Sequence, residues 1–478
     1  MVNGSPGLVL ALDQGGHASR AVLFDAMGRE IAVAQVPVAT RRAGPDRVEQ
    51  PAGELVESLR TAAADACDSV EARGMQIAAA GLATQRSTIV CSRRSSGDPL
   101  TDAISWQDRR NAAWLEQLRP HAARIRALTG LVLSPHYGAS KMRWCLDHVP
   151  AVKEAAIRHD LAIGPLASFL LCRLLGERPF VVDPANAART SLFDPSRLDW
   201  SPPLLELFGI GAALLPRCVP TRFDYGTLVV AERPVPVRAC TGDQSAAAFA
   251  FGRLESATAL VNAGTGAFVQ RAAAADAPLP DGLLKSVLFA GDAGVNMSHE
   301  GTVNGAGSAL EWFADRTALD VERALGSLRA TAAPEAPVFM NGVGGLGAPF
   351  WKPAFPIEFV GHGDDMEQLA AVVESIAFLL GENLAAMQRS APLRMIVISG
   401  GLARCDYLCQ ALADVSRLPV ERCVLREATA RGAAFLAAGQ PEDWLPPPVD
   451  RRFTPVANPA LAARLARWRA EMTRRGAE

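Results

Sequence analysis

The sequence predicts an α/β protein whose two halves share one local architecture. A buried-strand pattern over residues 7–13 ends in a carboxylate, and a glycine-containing turn leads to a second strand over 19–25. In the second half, a strand over 257–262 is again followed by a glycine turn and a strand over 267–271. This weak internal repeat has an offset of roughly 250 residues, far longer than a solenoid period. We therefore expect two similar domains.

The elements of the first half follow in order from their residue patterns. Residues 19–25 and 29–36 alternate around Ala26-Met-Gly28, which predicts a hairpin. Residues 51–72 carry helical periodicity, and 77–84 is a further buried-strand run. Strands that are followed by a helix and another strand are typical of an α/β layer fold.

The second half continues with helices and ends in a basic tail. Helical patterns cover 305–318 and 365–389, 395–399 is a strand, and Gly400-Gly401 opens another helix. An amphipathic basic helix over 459–475 is expected to be a docked or solvated tail, not a nucleic-acid arm. We place the boundary near Phe251 to Ser256 and predict three segments, which are residues 1–252, residues 253–440 and a C-terminal tail helix in 441–478.

Composition and charge exclude several classes of protein. Hydrophobic residues make up 49% and charged residues 21%, a globular balance that excludes extensive disorder. The formal charge of −2 gives no basic excess for nucleic acid or acidic membranes. No signal peptide and no stretch of eighteen apolar residues occurs, so membrane insertion is not expected. The nine scattered cysteines include no metal-type CxxC pair, which predicts a reduced, cytoplasmic protein.

A formal GxGxxG pattern at Gly342–Gly347 is the main misleading signal. In a dinucleotide-binding fold this pattern should open a helix whose N-terminus holds the pyrophosphate. Here Pro349 and Pro353 follow, and prolines at these positions oppose a helix. We therefore interpret the segment as a tight structural loop and not as evidence for an oxidoreductase.

Aspartates and glycines at strand ends are the stronger chemical candidates. Asp13 lies just before Gln14-Gly15-Gly16, where it can hold Mg²⁺ while backbone N–H groups of the turn face a phosphate. Taken alone, such a sequence is more often only a turn. Asp243 precedes an alanine-rich helix and is either a proton acceptor for a substrate hydroxyl or a helix N-cap. Gly264-Thr-Gly266 and Gly400-Gly401 add turns that a phosphate or nucleotide can approach closely.

In this order, these motifs resemble the FGGY carbohydrate kinase family, and within it most closely the glycerol kinases. The resemblance covers roughly residues 7 to 440. The motifs that carry it are Ala11-Leu-Asp-Gln-Gly15, Thr84-Gln-Arg86, Ser105-Trp-Gln-Asp-Arg109, Thr129-Gly-Leu131 with Ser134-Pro135 and Lys141, Gly242-Asp-Gln244, Gly264-Thr-Gly266, Gly345-Leu-Gly-Ala-Pro-Phe-Trp351 and Ser399-Gly-Gly401. The family fold consists of two actin-like (ribonuclease H-like) domains around a central cleft.

The resemblance implies an ATP- and Mg²⁺-dependent kinase that phosphorylates a hydroxyl of glycerol or a related polyol or sugar. The first domain would bind the substrate and the second the nucleotide, with Asp243 as general base and Asp13 at the metal. The implied substrate-binding residues are Arg86, Ser87, Trp106, His136, Asp243, Gln244 and Phe268. The implied nucleotide-binding residues are Gly16, His17, Arg20, Thr265, Gly307, Glu311, Gly401 and Cys405. The partner is a small molecule, and the sequence leaves open whether the chains form a homo-oligomer.

Five positions depart from the glycerol kinase pattern. Two threonines of the phosphate loop are replaced by Gly16 and His17, and the pocket Arg-Glu pair becomes Arg86-Ser87. The pocket tyrosine aligns with His136, and the adenine-side asparagine aligns with Cys405. Each lost buried hydrogen bond costs about 1 kcal/mol of affinity, so the affinity for glycerol is expected to be lower, and the sequence leaves open whether the substrate is glycerol or another polyol or sugar. The alternative is a catalytically weak nucleotide- or sugar-binding regulatory protein that keeps the fold.

Overall fold

The protein forms two compact units that are not continuous in sequence. The computed structural model describes residues 7–71, 75–291, 294–329 and 333–477. Unit 1 comprises Met1–Leu254, Ser286–Met297 and Glu427–Pro446. Unit 2 comprises Glu255–Lys285, Ser298–Arg426 and Pro447–Glu478. The domain limits of 1–252, 253–440 and 441–478 stay a prediction.

Unit 1 is built on a six-stranded mixed sheet. Its strands, in spatial order, are Arg222–Val230, Arg233–Gly242, Ile77–Thr84, Leu8–Gln14, Ala18–Phe24 and Glu30–Pro37. All seven residues of Leu8–Gln14 are buried, as its apolar run predicts. This strand pairs antiparallel with Ala18–Phe24 and parallel with Ile77–Thr84. The register places Asp13 directly opposite Arg20.

A second sheet and short ribbons complete the strands of unit 1. The five-stranded sheet has the order Arg41–Arg42, Val48–Gln50, Ala103–Ile104, Ile89–Arg93 and Leu161–Pro165. Val181–Val182 pairs with Arg217–Cys218, and Phe193–Asp194 pairs with Asp199–Trp200. The helices are Ala52–Glu71, Ala112–Leu115, Ala122–Thr129, Gly138–His148, Pro150–Ile157, Leu166–Leu174, Pro184–Ala188, Pro202–Phe208, Asp243–Ala248 and Ala428–Ala437, with 3₁₀ turns at Glu116–His121, Ala212–Leu214 and Phe249–Phe251.

The second large sheet has seven strands. Their order is Leu284–Gly291, Gly294–Val303, Ala267–Ala274, Thr258–Ala263, Met395–Ser399, Val420–Cys423 and Val449–Phe453. A separate ribbon pairs Val338–Asn341 with Ile357–Val360. The helices of unit 2 are Gly307–Ala314, Val321–Ser327, Asp365–Ser390, Asp406–Ser416 and Pro459–Arg474, with a 3₁₀ turn at Gly401–Arg404.

The long helix Asp365–Ser390 forms the centre of the core of unit 2. It begins at a capping box in which Asp364 and Glu367 exchange side-chain and backbone hydrogen bonds. By length and composition it could cross a membrane, yet 89% of its most apolar window is buried inside the protein. It is therefore a core helix. The terminal helix Pro459–Arg474 docks beside it through a buried ion pair between Arg464 and Glu374, at 2.6 Å.

The GxGxxG segment forms a loop, as predicted. The strand Val338–Asn341 leads into it, and Gly344 and Gly345 both adopt positive φ, at +72° and +76°. The described residues that follow, up to Val360, contain no helix. The geometry of a dinucleotide-binding turn is thus missing at this segment.

Candidate active site

Asp13 is the buried carboxylate at the end of the first strand. Its side chain is only 8% exposed, and Arg20 on the neighbouring strand approaches it at 3.9 Å between Nη1 and Oδ2. The pKa of Asp13 is raised to about 7, mainly by burial and then by the Asp243 carboxylate; Arg20 lowers it and Glu427 raises it. A buried carboxylate beside other carboxylates is a place where a bound cation stabilises the ionised form.

The donor set around Asp13 fits Mg²⁺ better than a transition metal. Among the described residues, no three His, Cys, Asp or Glu side chains converge as a ready-made metal cage. Mg²⁺ is usually held by one or two carboxylates together with water and substrate phosphates. Asp13, with Asp243 electrostatically coupled to it, satisfies that requirement.

Asp243 and Arg86 form the second charged pair of the site. Arg86 Nε lies 3.4 Å from Asp243 Oδ1, and the Asp243 side chain is 28% exposed. Asp243 Oδ1 also accepts a hydrogen bond from the backbone N–H of Gln244, at 2.7 Å. The N-cap of the helix Asp243–Ala248 is Gly242, so the N-cap interpretation of Asp243 is wrong. Gly242 is needed because a Cβ there would lie 2.5 Å from Arg86 Cδ.

Three further predicted pocket residues of unit 1 are Ser87, Trp106 and His136. Ser87 directly follows Arg86 and adopts φ +66°, which is unusual for a residue other than glycine. Trp106 is 40% exposed, an unusually open position for a large aromatic side chain. His136 Nδ1 lies 3.0 Å from the carbonyl oxygen of Trp106. The His136 ring thus braces the backbone that carries the Trp106 ring.

The turn after Asp13 is held by hydrogen bonds from residues that we did not predict. The carbonyl of Gly16 accepts hydrogen bonds from Gln50 Nε2 at 2.9 Å and from Thr40 Oγ1 at 3.3 Å. Gln50 Oε1 in turn accepts from Gln85 Nε2 at 2.6 Å. His17 is exposed at the tip of the turn. The replacement of two threonines therefore leaves a held backbone with an exposed imidazole.

Glu427 is a further charged residue that sequence reasoning missed. Its Oε2 lies 3.5 Å from Arg20 Nε, and burial raises its pKa while Arg20 lowers it. The helix that follows, Ala428–Ala437, packs closely because Gly432 leaves room for the carbonyl of Ala246. The only available signal was this alanine- and glycine-rich helix directly after a carboxylate.

In unit 2, the predicted turn Gly264–Gly266 is tied to the start of a helix. Gly307 N–H donates to the carbonyl of Gly264, and Ser308 N–H to that of Thr265, each at 2.9 Å. The Thr265 side chain is exposed, and Glu311 is exposed on the helix that Gly307 begins. Phe268 is half-buried on the strand that leaves the turn. The structure thus brings Thr265 and Gly307 together.

The Gly400-Gly401 turn follows a neighbouring strand of the same sheet. Gly400 has φ +94°, and a Cβ there would overlap the carbonyl oxygen of Ala263. Gly401 faces open space, because no atom lies within 4 Å of the Cβ it lacks. Gly401 starts a 3₁₀ turn, not the predicted helix, and the helix begins at Asp406. The thiol of Cys405 is buried, and burial raises its pKa.

Comparison with known proteins places this fold and these residues in one family. Residues 8–250 match the N-terminal domain model of the FGGY family of carbohydrate kinases, and residues 259–440 match its C-terminal domain model. Glycerol kinase of Dechloromonas aromatica (strain RCB) is 36% identical over 490 residues, covering 98% of this chain and 97% of the relative. Glycerol kinase of Geobacter sp. (strain M21) is 34% identical over 481 residues, covering 96% of each.

A solved structure gives the same result for the fold. The crystal structure of Plasmodium falciparum glycerol kinase with ADP matches with a TM-score of 0.90 and 21% identity, covering 100% of both chains. The two-unit α/β fold is thus the actin-like fold of sugar kinases, and the predicted enzyme class, a phosphotransferase with an alcohol group as acceptor, is confirmed. The chain belongs to the FGGY family of carbohydrate kinases.

Proposed function

We propose that this kinase transfers a phosphoryl group from ATP–Mg²⁺ to a hydroxyl group of glycerol or of a related polyol or sugar. The observation that carries the proposal is the accessible Asp243 carboxylate, which Arg86 pairs at 3.4 Å and which couples electrostatically to the buried Asp13. Phosphoryl transfer depends mainly on positioning and on charge neutralisation. A base, a cation and a metal-binding carboxylate meet that need.

The residues of unit 1 have distinct proposed roles. Asp243 accepts the proton of the acceptor hydroxyl as the oxygen attacks phosphorus. Arg86 pairs with Asp243 and binds hydroxyl groups, and the exposed Trp106 ring covers the C–H face of the acceptor. Asp13 holds Mg²⁺, which when bound neutralises phosphate charge. Arg20, beside Asp13, faces the transferred group.

We further propose that unit 2 binds the nucleotide through its backbone turns. Gly401 leaves open space at its turn, and Thr265 and Gly307 lie together at the other turn. Backbone N–H groups at the Gly401 turn suit phosphate and ribose oxygens. At the other turn Gly307 N–H is already donated to Gly264, so the exposed Thr265 side chain is the group proposed for contact there. Cys405 is buried, its backbone N–H donates to the carbonyl of Leu402 and its carbonyl accepts from Cys409 N–H, so we assign it to the support of this turn. All nine cysteines are free, which supports the proposed location in a reducing compartment such as the cytoplasm.

The test is release of ADP from ATP–Mg²⁺ in the presence of glycerol, other polyols and ketoses. Asp243→Asn should lower turnover by about 10²–10⁴-fold, since that is the usual contribution of a general base, and should leave folding and nucleotide affinity unchanged. Asp224→Asn is the matched control, because this aspartate of unit 1 is 71% exposed and pairs with Arg238. Full turnover in Asp243→Asn would remove the base assignment.

A second outcome would favour the catalytically weak binding protein. It is motivated by the exposed His17, which stands at the turn in place of a hydroxyl side chain, and by the buried Cys405. Titration calorimetry that shows ATP–Mg²⁺ binding, without ADP release for any acceptor, would support this alternative.

A further inference from the structure

Lys141 is a buried lysine that the proposed chemistry does not use. It lies on the helix Gly138–His148 and is 0% exposed. Its Nζ donates hydrogen bonds to two backbone carbonyl groups, those of Ser87 and Ser105, each at 2.8 Å. A lysine is almost never fully buried unless its charge has a specific use.

The two carbonyl groups belong to two separate loops of the acceptor pocket. Ser87 directly follows Arg86, and Ser105 directly precedes Trp106. A further hydrogen bond joins the same loops, since Trp106 N–H donates to Thr88 Oγ1 at 3.0 Å. One ammonium group therefore fixes the spacing between the backbone of the pocket arginine and that of the pocket tryptophan.

The local conformation needs this support. Ser87 has φ +66°, a left-handed conformation that costs energy in a residue with a side chain and persists only where its surroundings hold it. The loop on the other side is held at Asp108, whose carboxylate accepts from Val48 N–H at 2.7 Å and from Arg110 Nε at 2.9 Å. Together with the hydrogen bond from Trp106 N–H to Thr88, Lys141 thus connects a strained loop to a firmly anchored one.

The electrostatic environment shows that the lysine is costly at this position. Burial lowers the pKa of Lys141 to about 7, while Asp108 raises it and Arg110 lowers it. An apolar side chain of the same length would avoid this desolvation. Unlike an apolar side chain, the amine supplies N–H donors that can bind two carbonyl oxygens at once.

We propose that Lys141 is a positioning residue for the acceptor pocket, which sets the distance between Arg86 and Trp106 through the backbones of Ser87 and Ser105. The inference rests on the proposed function, because it takes Arg86 and Trp106 as the residues that contact the acceptor. A displacement of about 1 Å in such a pocket is enough to reduce turnover strongly.

The test compares Lys141→Met, which keeps the side-chain length and removes the donors, with Lys153→Met at an exposed lysine of the same unit. We expect amide hydrogen exchange over residues 85–88 and 104–107 to become at least about tenfold faster in Lys141→Met only. Exchange in the helix Ala52–Glu71 serves as the check on global stability. The KM for the acceptor should rise at least about tenfold, while the KM for ATP stays within about twofold. Lys141→Arg, which keeps charged donors, should restore part of the acceptor KM.

The outcomes separate this inference from the proposed function. Absence of any acceptor-dependent ADP release in the unmodified enzyme would overturn the function, whereas the exchange measurement alone still decides whether Lys141 holds the loops. Exchange and KM values equal to those of Lys153→Met would overturn the inference. If Lys141→Met does not fold, Lys141→Gln, with two N–H donors on a shorter side chain, is measured in the same way. It is expected to give a smaller effect in the same direction, and no effect would again overturn the inference.

Discussion

The two large sheets share one order over six strands, to which the second sheet adds the edge strand Leu284–Gly291, but they carry different chemistry at the corresponding turn. In unit 1, Leu8–Gln14 pairs antiparallel with Ala18–Phe24 and parallel with Ile77–Thr84. In the second sheet, Thr258–Ala263 pairs antiparallel with Ala267–Ala274 and parallel with Met395–Ser399. In both sheets a second parallel strand and then an antiparallel strand follow outward. The internal repeat predicted from the sequence is therefore a repeat of topology.

The difference lies in what each turn contains. The turn of unit 1 begins at the buried Asp13, opposite Arg20, whereas the turn Gly264–Gly266 contains no charged residue. The unit 1 turn thus has charged side chains beside it, whereas the glycine turns of unit 2 leave their backbone accessible to a ligand. This contrast supports assigning catalysis to the unit 1 turn and nucleotide binding to the unit 2 turns, and single substitutions can test each half of it.

Asp13→Asn should have the largest effect of the substitutions that test this contrast. Loss of the carboxylate that we propose to hold Mg²⁺ is expected to lower kcat by at least about 100-fold. In the metal-free protein the same change should increase stability at pH 8, because the pKa of Asp13 is raised from 3.8 to about 7 by burial. The folded state therefore retains a proton that the unfolded state releases in this range, so the contribution of Asp13 to stability falls as the pH rises from about 4 to 7.

The size of the stability gain has an upper limit. At about 1.4 kcal/mol per pKa unit, the gain at pH 8 is at most about 4 kcal/mol, and it shrinks toward pH 4. Chemical denaturation in the presence of a chelator at several pH values measures it. The exposed control Asp224→Asn should show neither the loss of turnover nor the gain in stability. An Asp13→Asn variant with unchanged stability at every pH would contradict the buried, protonated carboxyl.

How far the sequence predicted this site depends on the range of the contacts. The predicted strand 7–13 and helix 51–72 match Leu8–Gln14 and Ala52–Glu71 closely, because long periodic segments report burial locally. Asp13 and Arg20 lie opposite each other because of the register between the strands Leu8–Gln14 and Ala18–Phe24. Glu427 was missed because it meets Arg20 across roughly 400 residues of sequence, and no local pattern reports such a contact.

The hydrogen bonds that hold the turn after Asp13 were not predicted, for a related reason. Gln50 ends the strand Val48–Gln50 and Gln85 follows the strand Ile77–Thr84, so their amide–amide hydrogen bond depends on the tertiary fold. The N-cap interpretation of Asp243 failed because the sequence pattern cannot distinguish a cap at 242 from one at 243, and only the backbone angles decide it. The roles of the site residues themselves stay predictions.

Gly401→Ala tests the backbone half of the contrast. Because no atom lies within 4 Å of the added Cβ, folding should be unaffected, while a nucleotide that approaches this turn loses about tenfold in affinity. Gly400→Ala should instead destabilise unit 2 by about 1–3 kcal/mol, since its φ is +94° and its Cβ overlaps the carbonyl of Ala263. Gly326→Ala is the matched control, with equally open space on a helix of the same unit.

Titration calorimetry with ADP and thermal unfolding measure the two effects separately. An unchanged ADP affinity in a folded Gly401→Ala protein would mean that the nucleotide does not approach this turn. Equal loss of stability in the Gly400 and Gly401 variants would show that both glycines serve folding alone.

The smallest expected effect concerns Glu427, which sharpens the charged half of the contrast. Glu427→Gln keeps the size of the side chain and removes the charge that holds Arg20 at 3.5 Å. Arg20 should then lie closer to Asp13, because the competing carboxylate is lost, and the pKa of Asp13 should fall for two reasons, the stronger pairing and the removal of a nearby negative charge. A partly exposed ion pair contributes about 1 kcal/mol or less, so kcat should fall by at most about fivefold and stability should barely change. Glu442→Gln is the control, since this residue belongs to the same returning segment, is 83% exposed and pairs with Arg253. A kcat equal to that of the control would show that Arg20 needs no positioning by Glu427, whereas a loss as large as that of Asp13→Asn would place Glu427 within the reacting site itself.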